Sequence, residues 1–181
     1  KKVEGYFVNN ANPASLPYLK ATAYEVGIDA SRLTLDDGNQ STEQWGGKFN
    51  YLGLAFPLYN PINELYDEKK RKYKFGMAFN LSRKSTVGYN ITSVDSTDNL
   101  GVFTRNYTGE GGTYEFSWSN GVKYKEFSFG VKLGYLFGNS SYSRTVSFDG
   151  KDYPFNNNFE DAFFTKAFTY NVGFMYSKIF G

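Results

Sequence analysis

The segment 127–138 constrains this chain more than any other, because Phe127, Phe129, Val131, Leu133, Tyr135 and Phe137 alternate with Ser128, Gly130, Lys132 and Gly134. A period of two places the two sets on opposite faces of an extended strand. The length is close to the ~9–11 residues with which a tilted strand crosses a bilayer. One face is therefore expected to meet lipid and the other a polar lumen.

One such strand would also suit half of a soluble sandwich, so recurrence decides the class. Tyr170, Val172, Phe174 and Tyr176 alternate with Thr169, Asn171, Gly173 and Met175, and Tyr73, Phe75, Met77, Phe79 and Leu81 alternate with Lys74, Gly76, Ala78, Asn80 and Ser82. Tyr114, Phe116 and Trp118 stand against Thr113, Glu115, Ser117 and Ser119. Earlier, Leu52, Leu54, Phe56 and Leu58 oppose Tyr51, Gly53 and Ala55, and Tyr24, Val26, Ile28 and Ala30 oppose Glu25, Gly27 and Asp29. The six segments share one grammar and predict an all-β, transmembrane antiparallel β-barrel. Aromatic residues make up 20% of the chain, yet mean hydropathy is −0.51. A barrel reconciles these values, because only alternate residues touch lipid. No apolar run approaches the ~18 residues that a spanning helix requires.

The chain contains 0 Cys and 0 His. Without them there are no Ser-His or Cys-His nucleophilic pairs, no Cys or His zinc sites and no imidazole acid–base chemistry. Enzymatic function, a cofactor and a metal site are not expected. Asp36-Asp37-Gly38-Asn39 and Asp95-Ser96-Thr97-Asp98-Asn99 have the composition of calcium loops without the EF-hand spacing, and solvated turns are the simpler reading. A net charge of +2 offers no electrostatic case for nucleic acid.

Loop chemistry orders the strands. Lys125-Glu126 is a tight polar junction, expected on the periplasmic side, whereas 95–112 and 149–166, rich in Asn, Asp, Gly and Ser, are expected as external loops. Pro57, Pro61 and the charge run 67–72 predict a loop over 57–72. Six spanning strands are fewer than the eight with which bacterial barrels begin. Either 84–94 and 142–149 supply two more strands, or the chain is part of a larger barrel. Lumen-facing positions on this reading are Glu25, Ser128, Gly130, Lys132 and Asn171, where mutually paired polar groups are expected more than ligand contacts.

The segment before the first strand, 6–17, lacks alternation and carries two prolines, so at most one helical turn is expected after Pro13. Its Asn12-Pro13-Ala14 resembles the Asn-Pro-Ala element of the FadL/TodX-type outer-membrane transport family. Further echoes are the strand endings Ala55-Phe56-Pro57 and Leu136-Phe137-Gly138, the strand 74–79 followed by 82–89, and the loop Gly109-Glu110-Gly111-Gly112. That resemblance implies a barrel of about fourteen strands, with the first six or seven present here. It divides the chain into a plug segment at 1–18 and barrel strands at 19–181.

In function, the resemblance implies passive passage of a hydrophobic small molecule, with outer-membrane lipid as surroundings. Asn12, Pro13 and Ala14 would form the plug or ligand gate, and a strand interruption at Arg83, Lys84, Ser85 and Thr86 would open a lateral path. Some relatives with the same barrel serve as scaffolds rather than transporters, so a non-transporting subunit that anchors partner proteins of a secretion or assembly complex is the alternative. A small eight-stranded barrel or a soluble β-sandwich adhesin is a further one. The Gram-negative outer membrane is the expected location for the barrel readings.

Overall fold

The computed structural model describes residues 9–36, 41–59, 72–97, 101–148 and 156–177. Alternation of large apolar with small or polar side chains suits an extended, pleated backbone, and six strands result. They are β1 (Ala23–Asp36), β2 (Ser41–Pro57), β3 (Tyr73–Thr97), β4 (Gly101–Tyr124), β5 (Phe127–Phe148) and β6 (Asn157–Tyr176). Together they form one antiparallel sheet in the order β1-β2-β3-β4-β5-β6. Each of the six expected segments falls in its own strand, in order, apart from Leu58, which lies just past β2.

The strands are longer than expected, and this corrects several assignments. Residues 84–94 and 142–148 are continuations of β3 and β5, not separate strands, so the eight-stranded barrel loses the elements it needs. With a single sheet among the described residues, the sandwich has no second layer. Residues 101–112 belong to β4 and 157–166 to β6, where external loops were expected. Their Asn, Gly and Ser content is tolerated because pairing with a neighbouring strand, rather than the residue's own propensity, holds the backbone extended. Arg83, Lys84, Ser85 and Thr86 lie inside the unbroken β3, so polarity there changes what the strand faces without interrupting it. Of the charge run 67–72, only Lys72 is among the described residues.

One expectation about connections agrees with the chain path. Lys125-Glu126 forms the tight turn between β4 and β5, with Lys125 at φ 55°. Pro57, expected in the loop over 57–72, is instead the last residue of β2 and stands opposite Gly76, while residues 60–71 lie outside the described residues. Register is continuous from Ala23↔Ala55 to Gly27↔Tyr51 and resumes at Ile28↔Phe49, so Asn50 is an extra residue on β2. The Asn50 amide donates to Asp29 Oδ1 at 3.2 Å, and Arg83 Nη2 lies 2.8 Å from Asp29 Oδ2. This bulge is thus held by side chains from three strands.

The chain divides into two compact units. In the first (Lys1–Arg83, Glu115–Tyr135, Phe168–Gly181), the outward face is aromatic and exposed: Phe174 is 63%, Tyr170 83% and Phe168 88% accessible. Its rings associate across strands, with centroids 6.3 Å apart for Phe56 and Phe79, 6.3 Å for Phe79 and Phe116, and 5.1 Å for Phe127 and Tyr176. The opposite face is small and polar and holds the buried cluster Leu16, Leu19, Ala55 and Ala78. In the second unit (Lys84–Tyr114, Leu136–Ala167), side-chain pairs dominate. Arg105 lies 3.2 Å from Asp95, the Ser85 and Thr113 hydroxyls are 2.8 Å apart, and Phe103 packs on Phe148.

Candidate functional site

Residues Pro13–Tyr18 form a six-residue 3₁₀ helix, two turns where at most one was expected. Asn12 caps it: its side chain accepts from the Ala14 N–H at 3.0 Å, and its carbonyl accepts from the Ser15 N–H at 3.1 Å. Pro13 occupies the first turn, where an absent N–H costs nothing. The Leu19 N–H donates to the Leu16 carbonyl at 3.1 Å and closes the far end.

This turn lies against the small-residue face of the first unit, and glycine makes the approach possible. A β-carbon at Gly130 would sit 2.3 Å from the Pro13 carbonyl carbon, and one at Gly76 would sit 2.3 Å from the Leu16 oxygen. At Gly121 it would lie 2.6 Å from Pro17 Cδ, and at Gly173 2.1 Å from Asn12 Oδ1. Four strands, β3 to β6, therefore contribute one glycine each to a cradle that any larger side chain would fill. Pro13, Ala14, Ser15, Leu16 and Pro17 are all buried by it.

Polar contacts fix the register of the turn on the sheet. Ser128 Oγ donates to the Ala14 carbonyl, Asn171 Nδ2 donates to the Ala11 carbonyl at 3.5 Å, and the Tyr59 hydroxyl donates to the Leu19 carbonyl at 2.8 Å. Lys123 Nζ lies 4.1 Å from the Tyr18 ring centre. Burial raises the pKa of the Tyr18 phenol above its ordinary 10.0, opposed in part by the nearby Ser177 hydroxyl, which makes no hydrogen bond of good geometry to it.

A charged row lies on the same face. Lys132 Nζ is 2.7 Å from Glu115 Oε1, with side chains 13% and 7% exposed. Each is costly to leave alone at such burial, so the pair acts as one unit. Gly134 leaves room beside it for Thr169 and the Glu115 carboxyl. Glu25 stands opposite Gly53, which in turn stands opposite Asn80, a second polar row across β1, β2 and β3.

The structure thus brings Asn12, Pro13, Ala14, Ser128, Gly130 and Asn171 into direct association. Lys132 sits on the same face with Glu115, Glu25 lies in its own row, and Arg83 belongs to the Asp29 bulge. Ser85 pairs with Thr113 in the second unit; Lys84 and Thr86 are exposed there. Gly130 differs from the open lumen position expected of it, being covered by Pro13 and Ala14. Sequence reasoning did not assign Gly76, Gly121, Gly173 or Tyr59 to the site. The available signal was glycine on the non-apolar parity of Phe75, Phe129 and Phe174 strands, at the same end of each. Among the described residues no cluster of acidic side chains could hold a metal ion, and no helix is long and apolar enough to cross a membrane, which says nothing of a β-barrel.

Neither a curated protein nor a solved structure matches the chain. A family model described as BamG matches residues 3–180. That match overturns the FadL/TodX resemblance. An Asn-capped Pro-Ala turn and alternating strands are what any sheet needs to seat a short segment on a glycine face while presenting aromatics on the other, so these motifs do not single out a transport family. Since the match spans nearly the whole sequence, the chain belongs to the BamG family.

Proposed function

We propose that this chain is a non-enzymatic, membrane-embedded β-sheet subunit of the Gram-negative outer-membrane assembly complex, holding partner proteins at the membrane rather than passing small molecules through it. The family match across residues 3–180 carries the reading. Physical support comes from the outward face of the first unit. Exposed Phe75, Phe129, Phe168, Val172 and Phe174 form a contiguous apolar surface of the kind that marks membrane or protein contact. In hydrocarbon the sheet would belong to a closed barrel, whose remaining strands satisfy its edges. Strands of 20 to 25 residues are about twice what a bilayer needs, so roughly half of each of β3 to β6 lies outside it and is available to partners.

The seated turn favours a fixed plug over a gate. Displacing it would expose Leu16 and Leu19 and leave the cradle empty, with no compensating contact in view. Outer membranes extracted in mild detergent test the proposal by affinity isolation of this chain. Stoichiometric recovery of assembly-complex subunits is the expected result; recovery of the chain as a lone species in every detergent tried would overturn it.

A further inference from the structure

On the outward face of the first unit, Leu58, Phe75, Val122, Phe129 and Val131 line an apolar groove of about 270 Å³. Two residues further along β3 and β4, on the same parity, Tyr73 and Tyr124 stack with ring centres 4.9 Å apart. Lys125 Nζ lies 5.3 Å from the Tyr124 ring centre. Beyond the groove therefore stand two phenol rings and the Lys125 ammonium, with Glu126 as the acidic residue of the same turn. On the inner side Lys74 and Lys123 engage the Tyr59 and Tyr18 rings, so the cationic character of this end is not confined to one side chain.

Lys125 holds a second, independent distinction. Its φ of 55° is left-handed, a conformation that Gly or Asn adopts at less cost than a long side chain. A lysine there places its ammonium beside the mouth of an apolar groove, as a phosphate-bearing amphiphile requires.

We infer that this groove and the Tyr73, Tyr124 and Lys125 rim form a site for one anionic phospholipid, an acyl chain lying in the groove and the headgroup phosphate at the rim. The inference rests on the outward face meeting lipid. An acidic peptide would use the Lys125 ammonium but leave the groove unfilled, whereas a phospholipid uses both. Lysines near an anionic membrane surface contribute attraction of this kind.

Native mass spectrometry of the full chain, extracted with its partners and supplied with equal phosphatidylglycerol and phosphatidylethanolamine, tests the site. Wild type should retain phosphatidylglycerol in preference. Lys125→Asn, which suits the left-handed turn and removes the charge, should reduce that preference by about fivefold, the effect of one cation. Val131→Trp, which fills the groove, should lose both lipids. Equal retention of the two lipids by wild type, or displacement of phosphatidylglycerol by inorganic phosphate or a glutamate heptapeptide, would overturn the site. Flotation with neutral phosphatidylcholine vesicles separates the two failures: a chain that floats without headgroup preference lacks the site alone, and one that does not float lacks the membrane face as well.

Discussion

Gly130 illustrates how much a single residue decides here. Its missing side chain admits the Pro13 carbonyl carbon to within 2.3 Å of where a β-carbon would stand, and the obstruction is backbone, which cannot rotate away. Gly130→Val is therefore expected to destabilise by about 1–3 kcal/mol, as overpacking does, and to release the Asn12-Pro13-Ala14 turn to proteases. Gly47, with nothing within 4 Å of its β-position, provides the matched control; Gly47→Ala should stay within about 0.5 kcal/mol. Urea midpoints of the refolded protein in detergent compare the two. Equal midpoints for Gly130→Val and wild type would show that the turn does not occupy the cradle. Parity alone makes Gly130 legible as an inward residue. That a prolyl turn rather than water covers it depends on a contact across more than a hundred residues of chain, which no local pattern carries.

At the scale of the strand, alternation makes a sharper claim, since the two faces of β6 should respond differently to charge. Phe174 points outward and is 63% exposed, while Asn171 faces inward and reaches the Ala11 carbonyl. Phe174→Arg should cost about 2–4 kcal/mol for the folded protein in lipid, and Asn171→Arg no more than about 1 kcal/mol. Equal costs, read from folding titrations in vesicles, would contradict the assignment of faces. Strand existence and facing were legible because period two is independent of what the strand meets. Strand ends were not. β3 continues through Arg83, Lys84, Ser85 and Thr86, and β4 begins at Gly101, in segments whose polar composition suggests loops. Pairing with a neighbouring strand holds such residues extended, and a neighbour is not visible in a local window.

For the molecule as a whole, the two edges of the sheet set the demand on its surroundings. Among the described residues β1 and β6 each have a neighbour on one side only. Unpaired backbone groups in hydrocarbon cost several kcal/mol each, so on the proposed membrane reading both edges would be paired by further strands. Amide exchange across 168–174 in the intact complex should accordingly be as slow as in the central β4. Exchange at the rate of an unstructured peptide would place this edge in water and contradict the membrane reading. By itself the sequence determined an all-β chain, the two faces of its strands, a short helical start at Pro13 and the absence of imidazole and thiol chemistry. These follow from residue type and spacing, which are local. Only the tertiary structure decided that the six strands form one sheet with long extensions, that Gly76, Gly121, Gly130 and Gly173 converge on one turn, and that Glu115 meets Lys132. Those outcomes depend on which strand neighbours which and in what register, and register is a property of pairs that no single segment encodes.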